Sequence, residues 1–313
     1  MVTAYGRQVR RVSQFLTCSS ENCGELRNLV FTFRHAHWRA PGSRFCVTVE
    51  QKSVVAVIVP AHNEEKYIAH TLRALDRQEF RVVGDGRVLD TFRVIVVDNA
   101  STDGTRDVVA AHIASNPRVP VELITESEKG TGCAVDTAAR HAIATGAHYV
   151  ARTDADCLPR TDWLSRVITP LLDGKRLVAG RLRARTDEGS TGYVFNAVGT
   201  FWRLGHLLQW WATRHEADAN RRSFAVCGGN MAFDADIYLT SGGFPRVRID
   251  EANEDDMLQR RVRAITDKRG LALAPKAVVY ISLRRLKAVG VKEFAAWYGT
   301  EERDSTGKQV DIR

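Results

Sequence analysis

Two aspartates separated by one residue, Asp154 and Asp156, follow the apolar segment "HYVAR" and could bind a metal ion. Carboxylates are hard oxygen ligands that suit Mg²⁺ or Mn²⁺, and such ions keep positions open for water and phosphate oxygens. An ion at this place would neutralise a diphosphate and make it a better leaving group. The simpler interpretation is a solvated turn or a cap of the next helix, because an isolated D-x-D pair is common by chance.

Asp98 ends the apolar segment "FRVIVVD" and is a second candidate for direct contact with a ligand. A carboxylate at the end of a strand can accept hydrogen bonds from a nucleobase N–H or a ribose hydroxyl. The alternative is a cap within the turn "DNASTDGT", since aspartate commonly caps turns and helices. The polar segments around Asp98 favour the nucleotide-binding role.

Asp255, in the segment "NEDDML", is a third acidic candidate and lies about 100 residues after Asp156. A carboxylate at the start of a helix can act as a general base. Glu254 and Asp256 compete with Asp255 for this role. Spacing alone favours a simpler role for the whole acidic group, which is to complement the dipole of the helix that begins there.

Four short apolar runs, each followed by polar residues, predict the buried strands of a parallel sheet: 54–60, 92–98, 121–125 and 148–154. Helical patterns alternate with them, the first over 63–78 with Asn63 as its N-cap. This order predicts an α/β fold, a doubly wound, mostly parallel sheet with helices on both faces. Because ligands bind at the carboxyl ends of such strands, we expect "PAHNEE", "DNASTDGT", "ESEKGTG" and "DADC" to meet at one edge.

Several function classes are disfavoured by what these segments lack. Neither G-x-G-x-x-G after the first strand nor G-x-x-x-x-G-K-[ST] occurs, which argues against dinucleotide and P-loop chemistry. Glu64 and Glu65 would repel a phosphate at the first helix. The net charge of +8 divides into +5 within residues 1–53 and +3 in the rest, so no nucleic-acid partner is expected.

The second part of the chain is less regular. Residues 161–172 and 193–212 predict helices, and 176–185 predict a strand. The aromatic residues of the 193–212 helix are expected to pack in the core. One alternative is a groove for a sugar-containing acceptor molecule, since aromatic rings stack on sugars. Another is a membrane-facing surface, since aromatic rings anchor at membrane interfaces. Nearby basic residues would suit a lipid-phosphate acceptor: Arg203, Arg214, Arg221 and Arg222.

Taken in order, "VIVPAHNEE", "VVDNASTDGT", "EKGTG", "TDAD", "CGGNMAF", "SGGF" and "NEDDMLQRR" resemble the family-2 glycosyltransferases, which have the GT-A fold. The resemblance covers about residues 54–285. It implies three groups of site residues. Those implied to bind the nucleotide sugar are Pro60, Ala61, Asn63, Glu65, Asp98, Lys129, Gly130, Asp154, Ala155, Asp156, Gly228, Gly229 and Asn230. Those implied to hold the metal are Asp156 and Asp154, and the implied catalytic group is Asp255 with Glu254 beside it.

The resemblance also implies a reaction, in which a sugar moves with inversion from a nucleoside diphosphate sugar to a hydroxyl acceptor with Mn²⁺ or Mg²⁺ as cofactor. The acceptor would be a glycan, a lipid-linked or a small molecule, as in cell-envelope glycan biosynthesis. The motif Q-x-x-R-W of processive members is missing, so transfer is expected to be non-processive. Two alternatives stay open: a sugar nucleotidyltransferase, and a non-catalytic nucleotide- or glycan-binding protein on the same fold.

One departure from the family pattern concerns the last core strand. Many relatives have a histidine after it that can join the metal, whereas Ile281 and Ser282 stand here. Either the metal has fewer protein ligands, or Arg284 and Arg285 assist the diphosphate.

Four regions are expected along the chain: an irregular basic extension (1–52), a nucleotide-sugar-binding half (53–160), an acceptor-binding and catalytic-base half (161–285) and a tail (286–313). The extension is either a real arm or an artefact of a gene start that truly lies near Val47. No apolar run reaches the roughly 18 residues of a membrane span, and no signal peptide pattern follows the early arginines. A cytoplasmic location is expected, with peripheral contact at the inner membrane face as an alternative, and the oligomeric state is left open.

Overall fold

The computed structural model describes residues 54–84, 86–217, 227–246, 254–266, 268–284 and 286. The expected extension (1–52) and almost all of the expected tail (286–313) lie outside these residues. Within them, the chain forms one eight-stranded sheet with helices on both faces and a small two-stranded sheet. None of the described helices is long and apolar enough to cross a membrane.

The first half of the large sheet consists of four parallel strands in the order β5-β4-β1-β6. Their bounds are β1 Val55–Ala61, β4 Arg93–Asp98, β5 Val121–Thr125 and β6 Tyr149–Arg152. All four runs were predicted, and the continuous apolar runs of β1 and β4 fit strands that are covered on both faces, whereas β5 at the sheet edge is only partly buried. Pairing of Ala61 with Asp98 brings two of the predicted polar ends side by side.

The second half of the sheet mixes both strand directions. β9 (Met231–Asp234) lies antiparallel between β6 and β8 (Leu177–Ala184), β10 (Leu271–Ile281) runs parallel to β8, and β7 (Leu158–Pro159) closes the edge. Parallel pairs predominate, so the prediction of a mostly parallel α/β sheet is confirmed.

Alternate residues of β1 enter two separate cores. Val55, Val57 and Val59 pack with α1 (Ile68–Asp76), α2 (Thr105–Ala114) and α4 (Trp163–Leu172). Ala56 and Ile58 pack with α3 (Thr131–Ala144), α6 (Ala235–Thr240) and α7 (Glu254–Ile265). Because side chains alternate across a strand, one fully apolar run supplies both cores.

Two local predictions were wrong. Asn63 does not cap a helix: α1 begins at Ile68 after Tyr67, and Asn63 has a φ of +55° in the loop before it. Glu64 and Glu65 therefore lie in a loop and not in a first helical turn. The segment containing Gly84 and Gly86 forms a hairpin of β2 (Val82–Gly84) and β3 (Arg87–Leu89), which the sequence analysis did not identify.

The long aromatic helix, α5 (Thr191–Ala212), exists as predicted, but the expectation that its aromatic residues pack in the core fails for Trp211. The Trp211 side chain is 59% exposed. Asn196 ties the first part of the helix to the sheet, because its amide both accepts from Ala184 N (2.9 Å) and donates to Ala184 O (3.0 Å).

Candidate active site

The loops after β1 and β4 are held together by hydrogen bonds between them. Asn63 Oδ1 accepts from Thr102 N at 2.8 Å, and Glu65 Oε2 accepts from Gly104 N at 3.0 Å. Pro60 and Ala61, the last residues of β1, lie directly beside this junction. The side chains of Asn63 and Glu65, expected to line a nucleoside pocket, thus join the two loops through hydrogen bonds to backbone N–H groups.

Asp98 ends β4 and is almost completely buried, with 1% exposure. Its Oδ2 lies 3.5 Å from the Arg106 guanidinium, and its Oδ1 has no hydrogen-bond partner among the described residues. A buried acceptor without a donor is costly. The orphaned oxygen fits the predicted role of accepting an N–H or O–H from a nucleoside, and Asp98 caps no helix.

Asn99, which the sequence analysis did not single out, fixes the loop that contains Lys129 and Gly130. Its Nδ2 donates to Glu126 O (3.0 Å) and Glu128 O (2.7 Å), and its Oδ1 accepts from Gly130 N (2.9 Å). Gly130 has a φ of +153°, which favours glycine, and immediately precedes α3. Lys129 is exposed at the tip of this loop, so its ammonium is available to an anionic ligand.

The D-x-D pair follows the end of β6 at the same edge of the sheet. The side chains of Asp154 and Asp156 are 40% and 21% exposed, whereas Ala155 between them is buried. Thr71 of α1, itself buried, has its hydroxyl 2.7 Å from Ala155 O and 2.8 Å from Cys157 O. The turn is therefore supported from beneath, and both carboxylates point to accessible space.

Arg152 connects the D-x-D pair to the start of α7. Its buried guanidinium lies 2.9 Å from Glu254 Oε1 and 3.4 Å from Asp154 Oδ1 through the same nitrogen, Nη2. The guanidinium is also 5.4 Å from the centre of the Phe244 ring, in a cation–π arrangement. A buried charge must be paired, so Arg152 compensates the charge of two carboxylates that come from distant parts of the chain.

Two glycines cover this ion pair closely. A Cβ at Gly228 would lie 2.6 Å from the Arg152 guanidinium carbon, and one at Gly229 would lie 3.0 Å from Asp154 Oδ2. No other residue type fits at Gly228 without moving the arginine. The two glycines of the segment "CGGN" therefore lie against Arg152 and Asp154.

Asn230 has a different position from the one expected. It is fully buried, accepts from Trp163 Nε1 at 2.8 Å, and donates to Arg181 O and Ala277 O, each at 3.0 Å. With its amide committed in this way, it supports the sheet beneath the glycines and does not reach the space where a sugar would bind.

Asp255, in the first turn of α7, has the environment of a general base. Its Oδ2 accepts from Gly228 N and its Oδ1 from Asp256 N, both at 2.8 Å. Burial and the neighbouring Glu254 carboxylate raise the pKa of Asp255 to about 6, against the opposing effect of Arg152 and the two hydrogen bonds. A carboxylate with such a pKa is ionised at neutral pH and still has substantial proton affinity.

Arg284 adds a second cation to the site. It lies 3.1 Å from Asp156 Oδ2, forms an ion pair with Glu64, and stacks on the Tyr67 ring with 4.4 Å to the centroid. Its guanidinium therefore lies within ion-pair distance of one of the two candidate metal ligands. Arg285, named with it in the sequence analysis, lies outside the described residues.

Asp154 and Asp156 fit a divalent ion of the Mg²⁺ or Mn²⁺ type. The described residues hold no cluster of three or more histidine, cysteine or acidic residues that would form a complete protein cage. Mg²⁺ is often bound by only one or two carboxylates, with water and substrate phosphates as the other ligands. The oxygen donors and their partial exposure match that mode of binding.

Sequence reasoning found the acidic residues of the site and missed the residues that position them. Arg152 carried a signal, since a charged residue inside the apolar run "YVARTD" needs a partner in the fold. Asn99 carried a weaker signal, because an asparagine after a strand most often serves its own turn. Its actual partners lie 27 to 31 residues further along the chain.

Two curated glycosyltransferases are similar to part of this chain. The AglE glycosyltransferase of Haloferax volcanii is 29% identical over 138 residues, which are 44% of this chain and 42% of that protein. The chondroitin synthase of Escherichia coli is 29% identical over 109 residues, 35% of this chain and 14% of the synthase. The chain therefore spans less than half of the length of either relative.

Among solved structures, the Pyrobaculum calidifontis mannosyltransferase PcManGT, in complex with GDP-Man and Mn²⁺, matches with 26% identity and a TM-score of 0.52. The match covers 79% of this chain and 60% of that one. TarS of S. aureus (residues 1–349, with UDP) matches with 18% identity and a TM-score of 0.52, covering 80% and 67%. These structures confirm the predicted GT-A fold.

The family comparison covers the first strands, the D-x-D pair and the segment up to α6. The model for "Glycosyl transferase family 2" matches residues 56–238, which is more than half of the chain. The chain belongs to glycosyl transferase family 2.

Proposed function

We propose that this protein is a metal-dependent, inverting glycosyltransferase that moves a sugar from a nucleoside diphosphate sugar to a hydroxyl acceptor. The observation that carries the proposal is the link through Arg152. A candidate base with a pKa of about 6, Asp255, follows Glu254 directly, and Arg152 pairs Glu254 with the candidate metal ligand Asp154. Two carboxylate centres with different environments and different tasks are what displacement at a sugar carbon requires.

The nucleoside would bind at the ends of β1 and β4. The orphaned Asp98 Oδ1 would accept a hydrogen bond from the base, beside Pro60 and Ala61. The loop of Lys129 and Gly130, pinned by Asn99, would form the opposite wall. The PcManGT structure contains GDP-Man and TarS contains UDP, which supports a nucleotide donor for this chain without deciding between guanine and uracil.

The diphosphate would bind at Asp156, Asp154 and Arg284. When bound at the two aspartates, Mn²⁺ or Mg²⁺ would supply charge stabilisation for the departing diphosphate. Arg284 would add hydrogen bonds to the same oxygens, and guanidinium groups suit phosphate geometry. The Mn²⁺ in the PcManGT complex supports a divalent ion in this family member.

Asp255 would remove the proton from the acceptor hydroxyl. The hydroxyl oxygen forms a bond to the anomeric carbon as the bond from that carbon to the diphosphate breaks, and the proton stays on the carboxylate. A single displacement inverts the anomeric configuration and needs no covalent intermediate on the enzyme. Gly228 and Gly229, which pack closely on Arg152 and Asp154, would border the sugar between the base and the D-x-D pair, and holding the reactants in this geometry would supply much of the rate.

The acceptor is proposed only as a class, a hydroxyl on a glycan, a lipid-linked or a small molecule, in cell-envelope glycan biosynthesis on the cytoplasmic side. Transfer would be non-processive, because the motif Q-x-x-R-W is missing from the chain.

The test is Mn²⁺-dependent turnover of a panel of nucleotide sugars by the wild-type chain and by Asp255→Asn. The variant removes the base, so kcat should fall by about 10²–10⁴-fold while binding of the nucleoside diphosphate is retained. Asp173→Asn, at an exposed carboxylate that ends α4, is the matched control and should have wild-type turnover. If no donor is turned over by wild type, the chain is a binding protein and the proposal fails.

A further inference from the structure

The helix α5 turns an apolar face toward solvent. Tyr193, Val194, Val198, Leu208 and Trp211 are 65%, 62%, 54%, 61% and 59% exposed. At 3.6 residues per turn, these five side chains fall within an arc of about 140° around the helix axis. They lie on one side of the helix in two groups, one near each end, and we call these five residues the α5 stripe.

The orientation of α5 is the reverse of that of an ordinary surface helix. A surface helix normally buries its apolar stripe and exposes its polar one. Here the polar residue Asn196 faces the sheet, with both amide groups bonded to Ala184, while the α5 stripe faces outward. Exposed apolar area of this kind, present near both ends of one helix and on the same side of it, indicates that another surface covers it.

The charged residues around α5 indicate what kind of surface covers the stripe. The chain contains no aspartate or glutamate between Glu188 and Glu216, and this interval includes Arg203 and Arg214. The exposed Arg214 guanidinium lies over the Trp211 ring at 3.9 Å from its centroid, at the end of the α5 stripe. An arginine stacked on a tryptophan at the edge of an apolar face can reach an anionic group beside it.

We propose that the α5 stripe docks this protein onto an anionic lipid bilayer, with the helix lying in the interface. Tyr193 and Trp211 stand about 27 Å apart along the axis, and such residues prefer the interface between headgroups and acyl chains. Basic residues beside an apolar face are attracted to anionic headgroups. A second copy of the chain fits less well, because a facing α5 would bring no carboxylate for Arg214.

The docking face lies at the sheet edge that carries the candidate active site. Ala184, to which Asn196 is bonded, pairs with Ile281 at the end of β10. Three residues later, Arg284 contacts Asp156 of the D-x-D pair. Docking through α5 would thus hold the site near the bilayer surface. The inference goes beyond the proposed glycosyl transfer and does not depend on it.

The test is co-sedimentation of the full chain with phosphatidylcholine vesicles, with and without phosphatidylglycerol, in the absence of any donor. Wild type should bind the vesicles that contain phosphatidylglycerol and bind the neutral ones more weakly. Leu208→Asp should weaken binding by at least about tenfold, since it places a charge in the stripe. Arg214→Gln should weaken it by about fivefold through the loss of one basic residue.

The matched control is Val83→Asp in β2, which changes a valine with 66% exposure outside the stripe and should bind as wild type does. Val194→Asp is the second stripe variant, in case Leu208→Asp lowers the unfolding temperature. Asp255→Asn should bind vesicles normally, so failure of the catalytic proposal would be seen separately.

The docking proposal is overturned if wild type binds no vesicles, if the stripe variants bind as well as wild type, or if Val83→Asp weakens binding as much as the stripe variants do. It is also overturned if light scattering shows a dimer that Leu208→Asp dissociates.

Discussion

Arg152 is the residue on which the electrostatics of the site depend. Its guanidinium contacts Glu254 and Asp154 and lowers the pKa of Asp255, so one cation acts on both acidic centres. Replacing one member of a buried ion pair leaves an uncompensated charge. The consequences should therefore appear in the pH dependence of the reaction as well as in its rate.

We expect kcat/KM of wild type to fall below a pH of about 6, because protonation of Asp255 removes the base. In Arg152→Met the positive charge that lowers this pKa is lost, so the acidic limb should move to higher pH. A pH–rate profile of both proteins measures the shift.

Arg152→Lys is the control for this experiment, because lysine keeps the charge. The acidic limb of its pH–rate profile should lie at the same pH as in wild type. Its kcat should be lower, since one ammonium replaces the guanidinium beside two carboxylates. If the acidic limb of the pH–rate profile stays in place in Arg152→Met, or moves to lower pH, the assignment of Asp255 as the base is contradicted.

Arg284 should contribute to donor binding. Arg284→Ala removes the guanidinium beside Asp156, and a hydrogen bond to a charged group is worth enough to raise the donor KM by about tenfold. Steady-state kinetics with varied donor measure this. Arg166→Ala is the control, since Arg166 is 41% exposed in α4 and pairs with Asp162. Unchanged donor kinetics in Arg284→Ala would count against its role.

At the residue scale, the sequence reveals acidic groups better than their partners. Asp98, Asp154 and Asp255 could be singled out because each stands at the end of an apolar run or the start of a helical one. Asn63 was misread as a cap because its type fits both roles, and only the fold shows that its amide bonds to Thr102. Contacts such as the one between Arg152 and Glu254, 102 residues apart, follow from the fold alone.

At the element scale, the strands with continuous apolar runs were predictable and the short ones were not. The runs 54–60 and 92–98 can be stable only where both faces are covered. The three-residue strands β2 and β3 are too short for a periodic pattern. The antiparallel direction of β9 depends on how the chain returns to the sheet, which its four residues do not encode.

The contact between β8 and the segment before β9 gives a prediction at this scale. A Cβ at Gly180 would lie 2.1 Å from Asn230 Oδ1, so Gly180→Ala must displace the amide that holds three elements together. We expect the free energy of unfolding to fall by about 1–3 kcal/mol, the usual cost of overpacking. Urea denaturation measures it.

Gly199→Ala in α5 is the matched control, because nothing lies within 4 Å of the added Cβ. It should be neutral or stabilise the protein by up to about 1 kcal/mol, since alanine is favoured over glycine inside a helix. Equal destabilisation by both variants would mean that Asn230 does not organise the sheet.

The apolar pattern of α5 illustrates a limit at the same scale. Its residue types predict a helix and its spacing predicts an apolar stripe, but neither indicates which surface covers the stripe. The choice among core, acceptor groove and membrane was therefore open from the sequence, and for Trp211 and Leu208 their exposure decides against the core.

At the scale of the whole molecule, the site is assembled where the two halves of the sheet meet. β6 supplies Arg152 and the D-x-D pair follows it, while β9, its antiparallel neighbour, follows the glycines that cover them. The base, Asp255, comes from a helix beyond both. The order of motifs along the chain predicted that these parts belong together, and the pairing of β6 with β9 explains how they meet.

The central claim is that Asp156 holds the divalent ion through which a nucleoside diphosphate binds. Calorimetric titration of GDP and UDP into the chain, with and without Mn²⁺, measures this directly in wild type, Asp156→Asn and Asp255→Asn. We predict that at least one nucleotide binds wild type and Asp255→Asn with the same affinity only when Mn²⁺ is present, and that Asp156→Asn loses this binding. Metal-dependent binding of equal strength in Asp156→Asn would contradict the account.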